Sequence, residues 1–253
     1  MEDFNKAYQD MIEEDKGKKQ NEANANFQND SNKSSGIARK KVDEKLEEQL
    51  GYELYEYIRN NKQPIADEVL SYLNQGADIN FKGNYDYTLL MQAIFCENYK
   101  IAELLIEKGA NLDLQDKDGR TVLMLASCDK NYKIAVLLIE KGANLDLQDG
   151  QGNPALMEAI FYCEDNKLAE LLIEKGANLD LQNRHKGTAL MYAIRFKKIQ
   201  IAELLIEKGA NLALKDWEGF DALYYAKQSE EKTIIKLIED KLKKQNKDIE
   251  KIY

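Results

Sequence analysis

The chain has 253 residues, of which 32% are charged, and a formal net charge of −9. Residues 42–240 carry 35 acidic and 23 basic side chains, a net charge of −12. An acidic body argues against nonspecific binding to nucleic acid or anionic lipid, because both attract basic surfaces. No apolar run approaches the roughly 18 residues that a membrane span requires. The amino terminus lacks a basic and then apolar secretory signal, so we expect a cytoplasmic protein or one exported without a cleavable signal peptide.

The first segment, residues 1–41, is rich in Asn, Lys, Gln, Glu and Ser. With so few aliphatic side chains it cannot bury enough apolar surface to order itself, so a disordered tail is predicted. Within it, Phe4, Tyr8, Met11 and Ile12 follow the spacing of an amphipathic helix. This stretch predicts either a transient helix or a peptide that docks on this protein's own groove or on a partner.

A repeated segment organises the rest of the chain. Leu104–Gln115 recurs letter for letter at Leu137–Gln148 and Leu171–Gln182, and a fourth copy with two changes is Leu204–Lys215. A degenerate copy is Tyr72–Lys82, and the glycines of the five copies are spaced by 33, 33, 34 and 33 residues. A fixed period of this length indicates stacked structural repeats.

One period contains two predicted helices and a hairpin. Ile101, Ala102 and Leu105 lie on one apolar helical face, and Gly109 is suited to end that helix in a left-handed cap. The alternating stretch that follows indicates half of a short hairpin, and a second apolar pattern opens at Thr121. The order is therefore hairpin, helix, short turn, helix.

These features resemble the ankyrin repeat, whose period is 33 residues and whose first helix opens with T-P-L-H-x-A. The corresponding stretches begin at Thr88, Thr121, Pro154, Thr188 and Asp221. The resemblance implies an all-α ankyrin-repeat solenoid of paired antiparallel helices with β-hairpin-like loops, about six repeats including both caps.

One departure from the family pattern concerns its histidine. Methionine replaces it at Met91, Met124, Met157 and Met191, and tyrosine replaces it at Tyr224. In the family this histidine ties one hairpin to the next by hydrogen bonds. The substitution predicts that packing of these side chains, in place of the hydrogen bonds, holds neighbouring hairpins together.

The repeat domain is predicted to span residues 42–244. A helix from Val42 would lead into an N-terminal capping repeat, whose second helix would open at Pro64. Four internal repeats are predicted at residues 83–115, 116–148, 149–182 and 183–215, the third with one extra residue in or near Phe161–Asn166. The last repeat begins at Asp216, its second helix is predicted near residues 231–244, and residues 245–253 are expected to fray.

The sequence contains no catalytic constellation, so we expect no enzyme activity, no cofactor and no metal site. The only histidine, His185, falls in a hairpin segment. Cys96, Cys128 and Cys163 fall near the ends of first helices in consecutive repeats. Stacked helices lie about 8–10 Å apart, too far for these cysteines to share one zinc ion or to form disulfides. We expect free, partly buried thiols.

Some positions differ from repeat to repeat although the surrounding segment stays the same. The fold does not require a particular residue at these variable positions. In ankyrin-like stacks, hairpin tips and the exposed side of the first helices line one concave surface, and aromatic and arginine side chains dominate interface hot spots. The predicted partner-binding residues are Tyr85, Tyr87, Gln92, Phe95, Arg120, Leu125, Asn153, Glu158, Phe161, His185, Tyr192, Arg195, Trp217, Phe220 and Tyr225. Phe95 and Phe161 fit inter-repeat packing equally well.

The resemblance implies a protein–protein interaction module that acts as an adaptor, inhibitor or effector through its concave face. The alternative is an inhibitory or immunity-type regulatory subunit that blocks an enzyme on another chain. The acidic body favours a basic surface on the partner, mainly through the association rate. We expect a monomer in the absence of the partner.

Overall fold

The computed structural model describes the backbone of residues 35–127 and 132–250, and the side chains of residues 44–127 and 132–244. Backbone contacts divide the chain into residues 1–43 and 44–253, and all of the repeats lie in the second unit. The predicted amphipathic stretch at Phe4 and the third cysteine, Cys128, lie outside the described residues.

Twelve α-helices lie within the part of the chain that the structure describes. They are α1 (Ser35–Asn60), α2 (Ala66–Asn74), α3 (Leu89–Phe95), α4 (Tyr99–Glu107), α5 (Val122–Ser127), α6 (Tyr132–Glu140), α7 (Ala155–Tyr162), α8 (Lys167–Glu174), α9 (Ala189–Arg195), α10 (Ile199–Glu207), α11 (Ala222–Gln228) and α12 (Lys232–Glu250). Isolated antiparallel bridges, such as Lys82 to Thr88 and Gln115 to Thr121, mark the hairpins. The predicted all-α arrangement of paired helices with hairpin-like loops is confirmed.

The helices form two layers. The first helices of the repeats, α3, α5, α7, α9 and α11, pack against one another in chain order. The second helices, α2, α4, α6, α8, α10 and α12, do the same, and each first helix packs on the second helix that follows it. Each of the last five repeats therefore contributes one helix to each layer.

Several boundaries differ from the sequence prediction by a few residues. Helix α1 begins at Ser35 rather than at Val42, because the intervening Ala, Arg and Lys are strong helix formers. Helix α2 is capped by Ile65, so Pro64 precedes the helix instead of opening it. Helix α12 continues to Glu250. The extra residue of the third repeat lengthens α7 to 8 residues, where α3 has 7.

The four methionines at the family's histidine position are buried among the apolar side chains of both layers. The sequence predicts packing at this position, and Met91, Met124, Met157 and Met191 are all buried. The hydrogen bonds between hairpins come from a different residue.

Glutamine makes the tie between successive hairpins. The Nε2 atom of Gln115 donates to the carbonyl oxygen of Gln148 at 2.9 Å, and Gln148 donates in the same way to Gln182 at 3.0 Å. Gln182 continues the series to the carbonyl of Lys215 at 2.9 Å. Each glutamine also donates to a carbonyl within its own hairpin. These bonds explain why the repeated segment ends in glutamine in three copies.

A second ladder runs through the asparagine and aspartate of the same segment. The Oδ1 atom of Asp113 accepts from the backbone N–H of Asn144 at 2.8 Å, one repeat later. Equivalent bonds join Asp146 to Asn178 at 2.8 Å and Asp180 to Asn211 at 2.7 Å. In the last copy Ala213 and Lys215 replace the aspartate and the glutamine. No further copy follows, so neither side chain has a hairpin to bind.

Candidate functional site

The hairpin tips form one continuous row. We define the tips as residues 84–86, 117–119, 150–152, 184–186 and 217–219. The backbone N–H of one tip donates to a carbonyl of the preceding tip, as from Gly150 to Asp118 at 2.7 Å and from Trp217 to His185 at 3.1 Å. A Cβ on Gly119 would lie 2.8 Å from the nitrogen of Gly150, so the close approach requires glycine there. The tips therefore present their variable side chains on a fixed backbone.

In four of the five tips, an acid or amide just before the tip fixes its turn. Asp149 Oδ1 accepts from the backbone N–H groups of Gln151 and Asn153, each at 2.8 Å. Asp116, Asn183 and Asp216 play the same role in their own repeats. The surface formed by the tips and the first helices, which we call the concave face, is thus built on rigid elements.

At the N-terminal end of the concave face, two predicted residues are buried. Tyr87 is only 2% exposed, and its ring packs edge-on against Phe95 with centroids 6.0 Å apart. Its hydroxyl accepts from Arg120, which is held in turn by the buried Asp116 at 2.9 Å. Burial raises the pKa of Tyr87. Gln92 is 1% exposed and accepts from the Tyr55 hydroxyl at 2.7 Å.

Tyr85 remains partly accessible at the first tip. It adopts a left-handed backbone conformation with φ of 58°. The Nζ atom of Lys117, on the next tip, lies 3.6 Å from the centroid of its ring. A partner that approaches Tyr85 would therefore also meet this lysine.

The middle of the concave face offers little accessible area. Glu158 is 7% exposed, and Leu125 and Asn153 are half-buried. Asn153 Oδ1 accepts from Asn183 Nδ2 at 2.9 Å, so this side chain joins two tips. The expectation that Tyr87, Gln92 and Glu158 face the surface is wrong, because side chains of neighbouring repeats or helices cover them.

An aromatic cluster occupies the ends of α7 and α9. The ring of Phe161 makes edge-on contacts with Tyr192 at 4.8 Å and with Phe196 at 5.7 Å between centroids. Tyr162 packs against the same ring at 6.0 Å. Tyr162 is 63% exposed and Phe196 is 51% exposed. Sequence analysis missed both, although they directly follow Phe161 and Arg195 in the chain.

A groove with a volume of about 600 Å³ adjoins this cluster and runs between the last two tips and the ends of α9 and α11. Trp217 is 68% exposed in it and packs edge-on against His185 at 5.1 Å. Phe220 stacks on Tyr224 at 3.8 Å between centroids. Six of the predicted residues line this one groove: His185, Tyr192, Arg195, Trp217, Phe220 and Tyr225.

A hydrogen bond links the floor of the groove to the last tip. The Tyr225 hydroxyl donates to Asp216 Oδ2. Burial and this bond raise the pKa of Tyr225 to about 12. Burial opposes ionisation of Asp216, but the bonds from Tyr225 and from the backbone of Phe220 and Glu218 together lower the pKa of this carboxyl group.

Within the described residues, no group of three or more His, Cys, Asp or Glu side chains is arranged to hold a metal ion. No helix in that part of the chain is both long and apolar enough to cross a bilayer. Cys96 and Cys163 are half-buried free thiols, and burial raises the pKa of each.

Solved structures share this fold. An ankyrin repeat domain from Acinetobacter baumannii AYE is 28% identical with a TM-score of 0.66, over 74% of this chain and 96% of that one. The structure of a predatory endopeptidase from Bdellovibrio bacteriovorus in complex with an immunity protein contains a chain that is 30% identical. That match has a TM-score of 0.60 and covers 74% of this chain and 97% of the other.

No curated protein sequence matches the chain. The family model for ankyrin repeats in three copies matches residues 54–149, 90–183 and 156–249. Ankyrin repeats are protein-interaction modules. On this coverage, the chain belongs to the ankyrin-repeat family.

Proposed function

We propose that this protein binds a partner protein through its concave face and that the groove at the C-terminal end of that face is the principal anchor. The observation that carries this proposal is the concentration of accessible rings there. Tyr162, Phe196 and Trp217 are each more than half exposed, at 63%, 51% and 68%. Trp217 lines the groove, and Tyr162 and Phe196 belong to the aromatic cluster that adjoins it. Large rings that remain accessible are typical of interface hot spots.

Rigidity of the groove supports the same proposal. The ring of Tyr192 is fixed by a hydrogen bond from Asn183 Nδ2 at 2.8 Å. A Cβ at Gly187 would lie 2.7 Å from that ring, so the glycine admits the tyrosine against the tip. A groove that is already formed loses little entropy when a partner binds.

The second candidate function is inhibition of an enzyme on another chain. It is favoured by the likeness to the immunity protein that is complexed with an endopeptidase, which is 30% identical and covered over 97% of its length. In this function the concave face would cover a catalytic cleft. The protein itself would need no catalytic residues.

Affinity capture from the native cell, followed by titration calorimetry with the captured protein, tests both functions. We expect a protein partner whose binding is weakened by Trp217→Ala. An enzyme partner that loses activity on binding supports the inhibitory function, and a partner without catalytic activity supports an adaptor or effector. Binding that is unaffected by Trp217→Ala and by Phe196→Ala would contradict the groove as the anchor.

We also propose that the protein works in the cytoplasm, or is exported without a cleavable signal, and is monomeric before it meets its partner. The free thiols of Cys96 and Cys163 fit a reducing compartment. Cell fractionation and the sedimentation of the purified chain test these two statements.

A further inference from the structure

The repeat at residues 183–215, which is the fifth when the N-terminal capping repeat is counted, differs in charge from the rest of the acidic body. Residues 183–198 contain five basic side chains and no acidic one, whereas residues 42–240 as a whole have a net charge of −12. The basic residues are Arg184, Lys186, Arg195, Lys197 and Lys198. They fall at the two ends of α9, two at the tip before it and three at its C-terminal end.

Four of these cations are available to a ligand. Arg184, Lys186, Arg195 and Lys197 are exposed. Among the residues that the structure describes, none of the four forms an ion pair. The fifth, Lys198, is used internally, since its Nζ atom donates to the carbonyl of Cys163 at 2.6 Å.

Aromatic side chains accompany the two cation pairs. Helix α9, which separates the pairs in the chain, has 7 residues and is therefore about 10 Å long. Tyr192, on α9 itself, lines the groove together with Trp217 and Arg195. Phe196, which lies between Arg195 and Lys197 in the chain, stacks on Tyr192. The surface is a basic band with an aromatic centre.

Acidic residues confine this band on both sides. Glu164 and Asp165 lie in the turn of the preceding repeat, and Glu218 and Glu230 lie in the following one. A nucleic-acid strand carries phosphates at regular spacing and would extend past one repeat into these carboxylates. A short peptide segment would not, because it can place its carboxylates only where the cations are.

Resting on the proposed function, we infer that the partner inserts a segment in which carboxylates flank an aromatic or aliphatic side chain, and that this segment lies along the fifth repeat. Its apolar residue enters the groove beside Trp217 and Tyr192. Its carboxylates meet Arg184 and Lys186 at one end and Arg195 and Lys197 at the other. The negative net charge of residues 42–240 favours a basic partner surface. The positive local charge of this repeat instead favours an acidic segment of the partner here.

Matched variants are provided by the sequence itself. In the last repeat the positions of Arg195 and Lys197 are held by Gln228 and Glu230, and Glu230 shares the left-handed φ of 57° found at Lys197. The double variant Arg195→Gln/Lys197→Glu therefore introduces residues that this backbone already accommodates. The control is Lys175→Gln/Lys208→Glu, which changes the charge equally at exposed positions beside the second helices.

The experiment selects from a displayed library of random 12-residue peptides against the full chain. We expect enriched peptides with Asp or Glu on both sides of a large apolar residue. The only tryptophan of the chain is Trp217, so its emission reports occupation of the groove when a synthetic enriched peptide is titrated. Affinity should fall at least tenfold in the double variant, change less than twofold in the control, and decrease with added salt.

Enrichment of basic or neutral peptides, or of none, would overturn the inference, and so would equal affinity for the double variant and the wild type. A single-stranded thymidine oligonucleotide that competes for the same four cations would overturn it as well. If Trp217→Ala abolishes binding of the captured partner but the double variant still binds it, the proposed function stands. The inference that the partner inserts an acidic segment is then overturned.

Discussion

The side-chain amide of Gln148 donates a hydrogen bond to the backbone carbonyl of Gln182, 3.0 Å away and one full repeat later. The same amide donates to the carbonyl of Gly152 in its own hairpin. One side chain thus closes a turn and joins two repeats. In the family pattern, histidine makes the hydrogen bond that joins two repeats. This chain has methionine at the histidine position, and the glutamine makes the joining bond instead.

Replacement of this amide should destabilise the stack. In Gln148→Ala two hydrogen bonds are lost, and each contributes about 0.5–1.5 kcal/mol, so we expect the free energy of unfolding to fall by about 1–3 kcal/mol. Lys215→Ala is the control, because no copy of the repeat follows Lys215, and its cost should be below about 0.5 kcal/mol. Urea denaturation measures both. Equal losses would mean that the amide does not join the repeats.

Position in the stack should set the cost of a core cavity. Leu138 on α6 is fully buried between two neighbouring repeats, and Leu138→Ala should cost about 2–5 kcal/mol. Leu237 on α12 is only half-buried, because no helix packs on its outer side within the described residues, and Leu237→Ala should cost less. A larger loss for Leu237→Ala in urea melts would contradict the stacked arrangement.

Much of the fold could be predicted because the sequence repeats itself. A pattern present in five copies shows which residues form the frame, and Gly109 and the apolar face that contains Leu105 could be interpreted directly. Contacts between repeats could not be predicted in this way, because the pattern within one repeat does not show which side chains of the next repeat lie against it. Tyr87 occupies a variable position and was expected to be exposed, yet Arg120 of the next repeat covers it.

The candidate site was predictable in part for the same reason. Several of the variable aromatic positions, including Trp217 and Phe220, line one groove. Tyr162 and Phe196 were missed because the predicted residues on these two first helices reached no further than Phe161 and Arg195. The two rings lie at or just past the ends of these helices, where the fold constrains side chains least.

The bond from Tyr225 to Asp216 should give stability a dependence on alkaline pH. The folded pKa of Tyr225 is raised from 10.0 to about 12. A raised pKa contributes stability that is fully present below the unfolded value and is lost as the pH rises through the folded value. The stability difference between wild type and Tyr225→Phe should therefore be constant from pH 7 to 9 and shrink between pH 10 and 12.

Urea melts across this range test the dependence, and absorbance of tyrosinate gives a second reading. A tyrosine that titrates near pH 12 should disappear from the titration in Tyr225→Phe. A stability difference that stays constant to pH 12 would show that the hydroxyl does not hold Asp216.

Binding should depend most strongly on the C-terminal end of the concave face. Trp217 is 68% exposed in the groove, so Trp217→Ala should weaken binding of the captured partner by about 1–4 kcal/mol. Tyr85→Ala should weaken it less, because the ring is half-buried and Lys117 already lies over it.

Glu107→Ala and Glu174→Ala are the controls for that comparison. Both carboxylates are exposed at the ends of second helices, in segments that recur almost unchanged from repeat to repeat. A partner bound there would find several equivalent registers, so these changes should alter binding by less than about 0.5 kcal/mol. Titration calorimetry measures all four variants. Loss of binding in the two glutamate variants, with Trp217→Ala unaffected, would place the interface on the layer of second helices and exclude the groove.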